Sequence, residues 1–226
     1  MITYKNISFQ YSKNNVVINN LNLHVKERDI HGILGHNGAG KTTLFRLTLG
    51  LLKPQKGKIL LGNNDISYMP TDNGLYENLT AFQNIEFRAK IFKVSQDVFN
   101  TEANLLLKQL HIFKRSNELV LKWSTGMKKR LALACALIAN PKILILDEPT
   151  NGIDPESLNI VVNMLKKINQ NGVTILLSSQ DLNFISKACN YISIIQSGNL
   201  VYENSINVNT NIEDIYLKYT NSNVEE

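Results

Sequence analysis

The stretch Gly35-His36-Asn37-Gly38-Ala39-Gly40-Lys41-Thr42-Thr43 decides how the rest of this chain is read. It fits G-x-x-x-x-G-K-[ST], a loop whose backbone N–H groups turn inward to cradle phosphates. Ile30, Ile33 and Leu34 before it read as a short buried strand, and Leu44, Leu47 and Leu51 after it fall at helical spacing. The loop thus joins a strand to a helix, whose start adds the positive end of its dipole to the phosphate site. Glycines at 35, 38 and 40 permit positive φ and close backbone approach, which a side chain would obstruct. In this motif Lys41 reaches the β- and γ-phosphates, and the Thr42 hydroxyl ligates Mg²⁺. The stretch is a nucleotide site.

The 226 residues allow one α/β domain, or one domain with an insertion, and 43% hydrophobic content supplies a sizeable core. No 18-residue apolar run occurs, so no transmembrane helix is expected. Met1-Ile2-Thr3-Tyr4-Lys5 lacks a signal-peptide pattern, which leads us to expect a cytoplasmic chain. Cys135 and Cys189 lack metal-ligand spacing and read as small core residues. The net charge of +5 suits nucleic acid, an anionic membrane or a polyanionic nucleotide equally. Lys122, Lys128, Lys129 and Arg130 form the one basic cluster, expected to solvate a helix face.

Residues 2–9 and 15–25 alternate apolar and polar side chains, the pattern of antiparallel strands with one wet face. A turn around Lys13-Asn14-Asn15 joins them. After the phosphate loop, Pro54 and Gly57 break the chain before a strand at Lys58–Leu61, and Ile66–Met69 is a brief extended run stopped by Pro70. From Thr80 the period becomes helical. Thr80-x-x-Gln83 is a capping box, and Phe82, Ile85, Ala89 and Phe92 share a face. A second helix spans roughly 96–112, with Val98, Leu105, Leu106, Leu107 and Leu110 apolar. Beyond this helical insertion the βα alternation resumes: strand Lys142–Leu146, helix Pro155–Ile168, strand Val173–Ser178, helix Asn183–Ala188, strands Tyr191–Ile195 and Asn199–Tyr202, then a helix over 211–219. The tail Asn221–Glu226 is expected to fray.

Ile143-Leu144-Ile145-Leu146-Asp147-Glu148 is an apolar strand ending in two carboxylates. In phosphate-loop enzymes the Asp of this arrangement helps hold Mg²⁺. Glu148 is placed to orient or deprotonate attacking water. Trp123-Ser124-Thr125-Gly126-Met127-Lys128-Lys129-Arg130 precedes the apolar run Leu131–Ala139. Ser124 is a good N-cap and Gly126 keeps the first turn open, making a second anion-binding helix start.

With these residues in place, the chain resembles the nucleotide-binding subunit of an ATP-binding cassette (ABC) transporter over residues 2–205. Trp123-Ser124-Thr125-Gly126-Met127 resembles the family signature L-S-G-G-Q, departing at its first, third and fifth positions. Asn151-Gly152-Ile153-Asp154 resembles the D-loop, and Tyr11 stands where the family's A-loop aromatic stacks on adenine. The resemblance implies an ABC ATPase fold of class α/β: a phosphate-loop core (1–79 and 131–226) with N-terminal antiparallel strands and an inserted α-helical subdomain (80–130). It further implies a head-to-tail dimer holding two ATP molecules, with Lys41 and Thr42 of one subunit facing Ser124 and Gly126 of the other, and Asp154 contributing from the D-loop.

Two positions depart from the family pattern. The Q-loop glutamine, which in the family touches Mg²⁺ or its water, is replaced by Thr71, too short for the same reach, with Asp72 beside it. The switch histidine is replaced by Gln180, and no His occurs in residues 112–226. Glutamine can bond a γ-phosphate oxygen or position water, but cannot carry a proton. Slow hydrolysis is therefore expected, with Glu148 retained.

The function that the resemblance implies is an ATP-hydrolysing subunit that dimerises on ATP and powers a membrane exporter. Its permease would be a separate transmembrane subunit, and the chain would sit at the inner face of the cell membrane. Leu75-Tyr76-Glu77-Asn78-Leu79-Thr80 resembles a stretch of drug, antibiotic and antimicrobial-peptide exporters; as residues alone it is equally a surface turn entering a helix. The alternative is a regulatory, catalytically weakened ATP-binding subunit of a heteromeric complex, which Thr71 and Gln180 favour. Nucleic acid is not an expected partner, since family members that act on ribosomes or DNA carry paired cassettes or long coiled coils.

Overall fold

The computed structural model describes residues 1–13, 15–207 and 209–220. In chain order, β1 (Ile2–Ser12), β2 (Asn15–Val25), β3 (Ile30–Leu34), α1 (Lys41–Thr48), β4 (Lys56–Leu61) and β5 (Ile66–Met69) come first. The helices α2 (Ala81–Ile91), α3 (Gln96–Gln109) and α4 (Thr125–Leu137) follow, with short 3₁₀ turns between α3 and α4. The chain then runs through β6 (Ile143–Asp147), α5 (Pro155–Gln170), β7 (Thr174–Ser178), α6 (Leu182–Ala188), β8 (Tyr191–Gln196), β9 (Asn199–Ser205) and α7 (Ile212–Thr220).

The alternating N-terminal strands build an antiparallel sheet in the order β2-β1-β4. Ile2 and Tyr4 are buried, but the next inward residue is Ile7 rather than residue 6. Asn6 takes a left-handed conformation (φ 52°) where the β1–β2 register shifts, a bulge that re-aims the strand. The second sheet has the order β5-β6-β7-β3-β8-β9, parallel except for β9. Its central strands β3, β6 and β7 are buried at every residue, which explains their unbroken apolar sequence. The carboxyl ends of β5, β6, β7 and β3 lie side by side, and such an edge is where open α/β sheets bind ligands.

Helix α1 is wedged between the two sheets. Its Leu44, Phe45 and Leu47 share one core with Ile2, Ile7 and Leu23, and the buried Tyr4 hydroxyl meets Thr48 Oγ1 at 2.7 Å. A larger core lies between the parallel sheet and helices α2 to α6. The capping box forms as expected: Gln83 N–H donates to Thr80 Oγ1 at 3.1 Å, and Thr80 N–H to Gln83 Oε1 at 2.9 Å. Helix α4 runs unbroken through residues 130 and 131, so a division of the chain at that point falls inside one element.

Several faces differ from the sequence expectation. Leu51 is 67% exposed, because Gly50 turns left-handed (φ 71°) and ends α1 before the third apolar position. Phe92 lies at the α2 C-cap and is exposed, as are Val98 and Leu105 on α3, while Ile85, Ala89, Leu106, Leu107 and Leu110 are buried. Phe82 is half-buried and packs edge-on against Phe99. The expected turn at Asn14 and the tail Asn221–Glu226 lie outside the described residues.

Candidate nucleotide-binding site

The loop between β3 and α1 forms one wall of an open cleft of about 400 Å³. Asn37, Gly38, Ala39, Gly40, Lys41, Thr42 and Thr43 line it, facing Thr71, Asp147 and Glu148, with Tyr11 at one end. The glycines have distinct reasons to be there. Gly38 sits at φ 82°, and a Cβ on Gly40 (φ 109°) would come within 2.8 Å of Val17 O. Gly35 and His36 do not line the cleft; their carbonyls turn toward Lys41 Nζ, which donates to them at 2.6 and 3.2 Å. His36 Nδ1 lies 2.7 Å from Asn37 O.

Across the cleft the β6 strand end delivers its two carboxylates to different tasks. Asp147 is 1% exposed and accepts from Thr42 Oγ1 at 2.7 Å and from Ser178 Oγ at 2.6 Å. Tyr68 on β5 approaches the same carboxylate at 3.5 Å. Thr42 and Asp147 therefore present two hard oxygens side by side. Among the described residues no three His, Cys, Asp or Glu side chains could hold a metal by themselves. That incomplete oxygen shell fits Mg²⁺, which takes one or two protein ligands and fills the rest with phosphate and water.

Glu148 sits one residue on, in a left-handed conformation (φ 51°) that few non-glycine residues adopt. Its N–H donates to Ser178 Oγ at 3.1 Å, and Oε2 accepts from Gln180 N–H at 3.3 Å. Among the described residues Oε1 accepts no hydrogen bond, and Lys41 Nζ lies 3.7 Å from it. Burial holds the Glu148 carboxyl above the ordinary carboxylate range, with the Lys41 charge opposing. Burial likewise pushes the Lys41 ammonium down, opposed by Glu148 and Asp147. An ammonium and a carboxylate are thus kept close on the cleft wall, with Glu148 Oε1 ion-paired to Lys41 but accepting no hydrogen bond among the described residues.

Gln180 follows β7 and donates from Nε2 to Asn37 Oδ1 at 2.6 Å, so it closes over the phosphate loop. The Thr71 side chain is exposed at the cleft rim, while its carbonyl accepts from Lys129 at 2.9 Å. Tyr11 is 51% exposed, stands edge-on to Phe9, and has its hydroxyl 3.3 Å from Thr43 Oγ1. Its ring face is available to a flat ligand.

Ser124, Gly126 and Asp154 do not line this cleft within one chain. Ser124 Oγ accepts from Met127 N–H at 3.4 Å as the α4 cap. Asp154 caps α5, accepting from Ser157 N–H and Oγ, each at 2.8 Å. A Cβ on Gly126 would stand 2.5 Å from Ser157 Oγ and 2.8 Å from Asp154 Oδ2, so the glycine lets α4 approach the α5 cap.

Sequence reasoning missed four participants, Ser178, Tyr68, Val17 and Lys129. Ser178 ends an apolar strand as Asp147 does, which was a usable signal. Lys129 corrects the expectation of a solvated basic cluster, being 3% exposed. It falls three residues after Gly126 and four before Leu133, on the buried side of α4.

Residues 18–151 match the family model described as "ABC transporter". The chain is 33% identical over 241 residues to the bacitracin transport ATP-binding protein BcrA of Enterococcus faecalis, covering 100% of this chain and 75% of that protein. It is 29% identical over 224 residues to the lantibiotic transport ATP-binding protein SrtF of Streptococcus pyogenes, covering 96% of each. A solved dimeric ATP-binding cassette in a post-hydrolysis state with ADP and Pi superposes with a TM-score of 0.82 at 26% identity, covering 92% of this chain and 99% of that one.

Proposed function

The chain belongs to the ABC transporter family, and from that premise we propose that it dimerises on Mg·ATP, hydrolyses it slowly and powers an exporter of antibiotics or antimicrobial peptides. The observation that carries this reading is the cluster at one sheet edge: Thr42 and Ser178 both donating to Asp147, and the Glu148 carboxylate beside Lys41.

Each residue has a separate task. Lys41 gives two donors to Gly35 and His36, which hold its third toward the cleft and the phosphate charge. The N–H groups opening α1 add donors that cost no reorganisation. Thr42 and Asp147 are the residues that would hold Mg²⁺, which would supply charge neutralisation at the phosphoryl oxygens. Glu148, raised by burial and lacking a hydrogen bond at Oε1, is the base that takes a proton from water. Gln180 orients through its amide and moves no proton, which is the reason for slow turnover.

The cargo class is proposed from the likeness to proteins named for bacitracin and lantibiotic transport. Among the described residues no helix is long and apolar enough to cross a membrane, so a separate permease and a peripheral position at the inner membrane face complete the proposal. Ser124, Gly126 and Asp154, away from the cleft in one chain, would meet ATP held by a partner, either a second copy or another ATPase subunit.

The test is steady-state Mg·ATP hydrolysis over a range of protein concentrations beside Glu148→Gln. Specific activity that rises with concentration and is lost in the variant is expected. Measurable ATP binding with no rate above the variant would overturn a self-sufficient ATPase and favour the regulatory alternative, to which the Gln180–Asn37 bond and the exposed Thr71 side chain already lean.

A further inference from the structure

Lys129 is a lysine inside the protein, 3% exposed on α4, where a charge is costly unless its donors and its charge are answered. Its Nζ donates to Thr71 O at 2.9 Å and to Glu148 O at 3.0 Å. These two carbonyls lie just beyond the ends of β5 and β6, which are neighbours in the sheet. The charges of Glu148, Asp147 and Asp72 oppose the downward push of burial on its ammonium.

Glu148 needs such support. A left-handed non-glycine residue persists where its surroundings over-determine it. Its carboxylate is placed by the main chain together with Gln180 N–H on Oε2 and the Lys41 charge 3.7 Å from Oε1. The turn is held by Ser178 on the N–H, Gln180 N–H on Oε2 and Lys129 on the carbonyl, and Lys129 supplies the one cationic donor of the three. Helix α4 begins at Thr125, directly after the Ser124 cap, so Lys129 is one turn from the expected partner-facing end.

We propose that Lys129 is a positioning residue that clamps the Glu148 and Thr71 turns together from α4 and so sets the aim of the Glu148 carboxylate. This rests on the reading of Glu148 as the base. Any displacement of the α4 start is passed within one helical turn to the hydrolytic carboxylate. Ammonium and carbonyls, rather than the Thr71 side chain, tie β5 to β6 at the cleft.

Three variants of the full chain test this: Lys129→Met, which keeps a long stem without charge or donors; Lys129→Arg, which restores both; and Lys129→Gln, used in place of Met should that variant fail to fold. Hydrogen–deuterium exchange on the nucleotide-free chain should rise together at 70–74 and 148–152 in Lys129→Met, with the α4 interior unchanged. The Kd of a fluorescent ATP analogue should stay within about twofold, while kcat falls about tenfold or more at constant KM, the mark of an interaction that serves the chemical step. Lys129→Arg should recover part of both. Unchanged exchange at the two turns would overturn the clamp. So would exchange rising along α4 with Kd and kcat lost in step, or Lys129→Arg as impaired as Lys129→Met. Absence of hydrolysis in the unsubstituted chain would sink the catalytic reading of Glu148 instead, with exchange still deciding the clamp.

Discussion

Gln180 Nε2 donates a 2.6 Å hydrogen bond to Asn37 Oδ1, joining the turn after β7 to the phosphate loop across 143 positions of sequence. The bond puts an amide where the family resemblance expects an imidazole. An amide donates and accepts but does not titrate, whereas a histidine changes charge between about pH 5 and 8. Gln180→His is therefore expected to raise kcat and to add a limb near pH 6–7 to the pH–rate profile that the unsubstituted chain lacks. Gln180→Ala, which loses the bond to Asn37, should lower kcat with ATP affinity retained. A pH profile of each variant checks both.

Glu148 also makes a stability prediction. Burial raises its carboxyl in the folded state above the unfolded value, so folding holds the proton more tightly than the unfolded chain does. Its contribution is favourable below the ordinary carboxylate range, about pH 4, and is lost as pH rises through the raised value. Glu148→Gln, uncharged throughout, should therefore melt higher than the unsubstituted nucleotide-free protein at pH 7. That advantage should vanish on acidification to about pH 4, as read by thermal unfolding across pH.

Tyr11 offers a ring face on which a base can stack, in a cleft that Asn15 and Val17 also line. Tyr11→Ala should weaken ATP binding about tenfold, within the range of aromatic–base stacking. Tyr11→Phe should bind nearly as the native chain, since the hydroxyl contact to Thr43 is long at 3.3 Å. Stacking reads no base edge, so GTP should compete with ATP at comparable concentration in an equilibrium titration.

Gly126 is demanded by packing. A Cβ there would press on Ser157 Oγ at 2.5 Å and Asp154 Oδ2 at 2.8 Å, both held by the α5 cap. Gly126→Ala should cost about 1–3 kcal/mol in denaturant unfolding, the usual range for overpacking. Adding Ser157→Ala should return part of that loss.

The sequence by itself determined whatever depends on a few consecutive residues. The glycines of 35–40 state a backbone requirement, the Thr80–Gln83 box states a helix start, and the apolar run ending in Asp147-Glu148 states a buried strand with carboxylates at its tip. These features are local because φ preference, capping and side-chain period act within about a helical turn. Tertiary structure alone decided which strand ends become neighbours, and with them the partners Ser178 and Tyr68 for Asp147. It also decided the fate of Lys128-Lys129-Arg130. Successive residues point about 100° apart around a helix, so Lys128 reaches out to Glu77 at 2.6 Å while Lys129 turns inward to the carbonyls of Thr71 and Glu148. Three basic residues in a row read as solvated until a sheet edge with two bare carbonyls is packed beneath one of them.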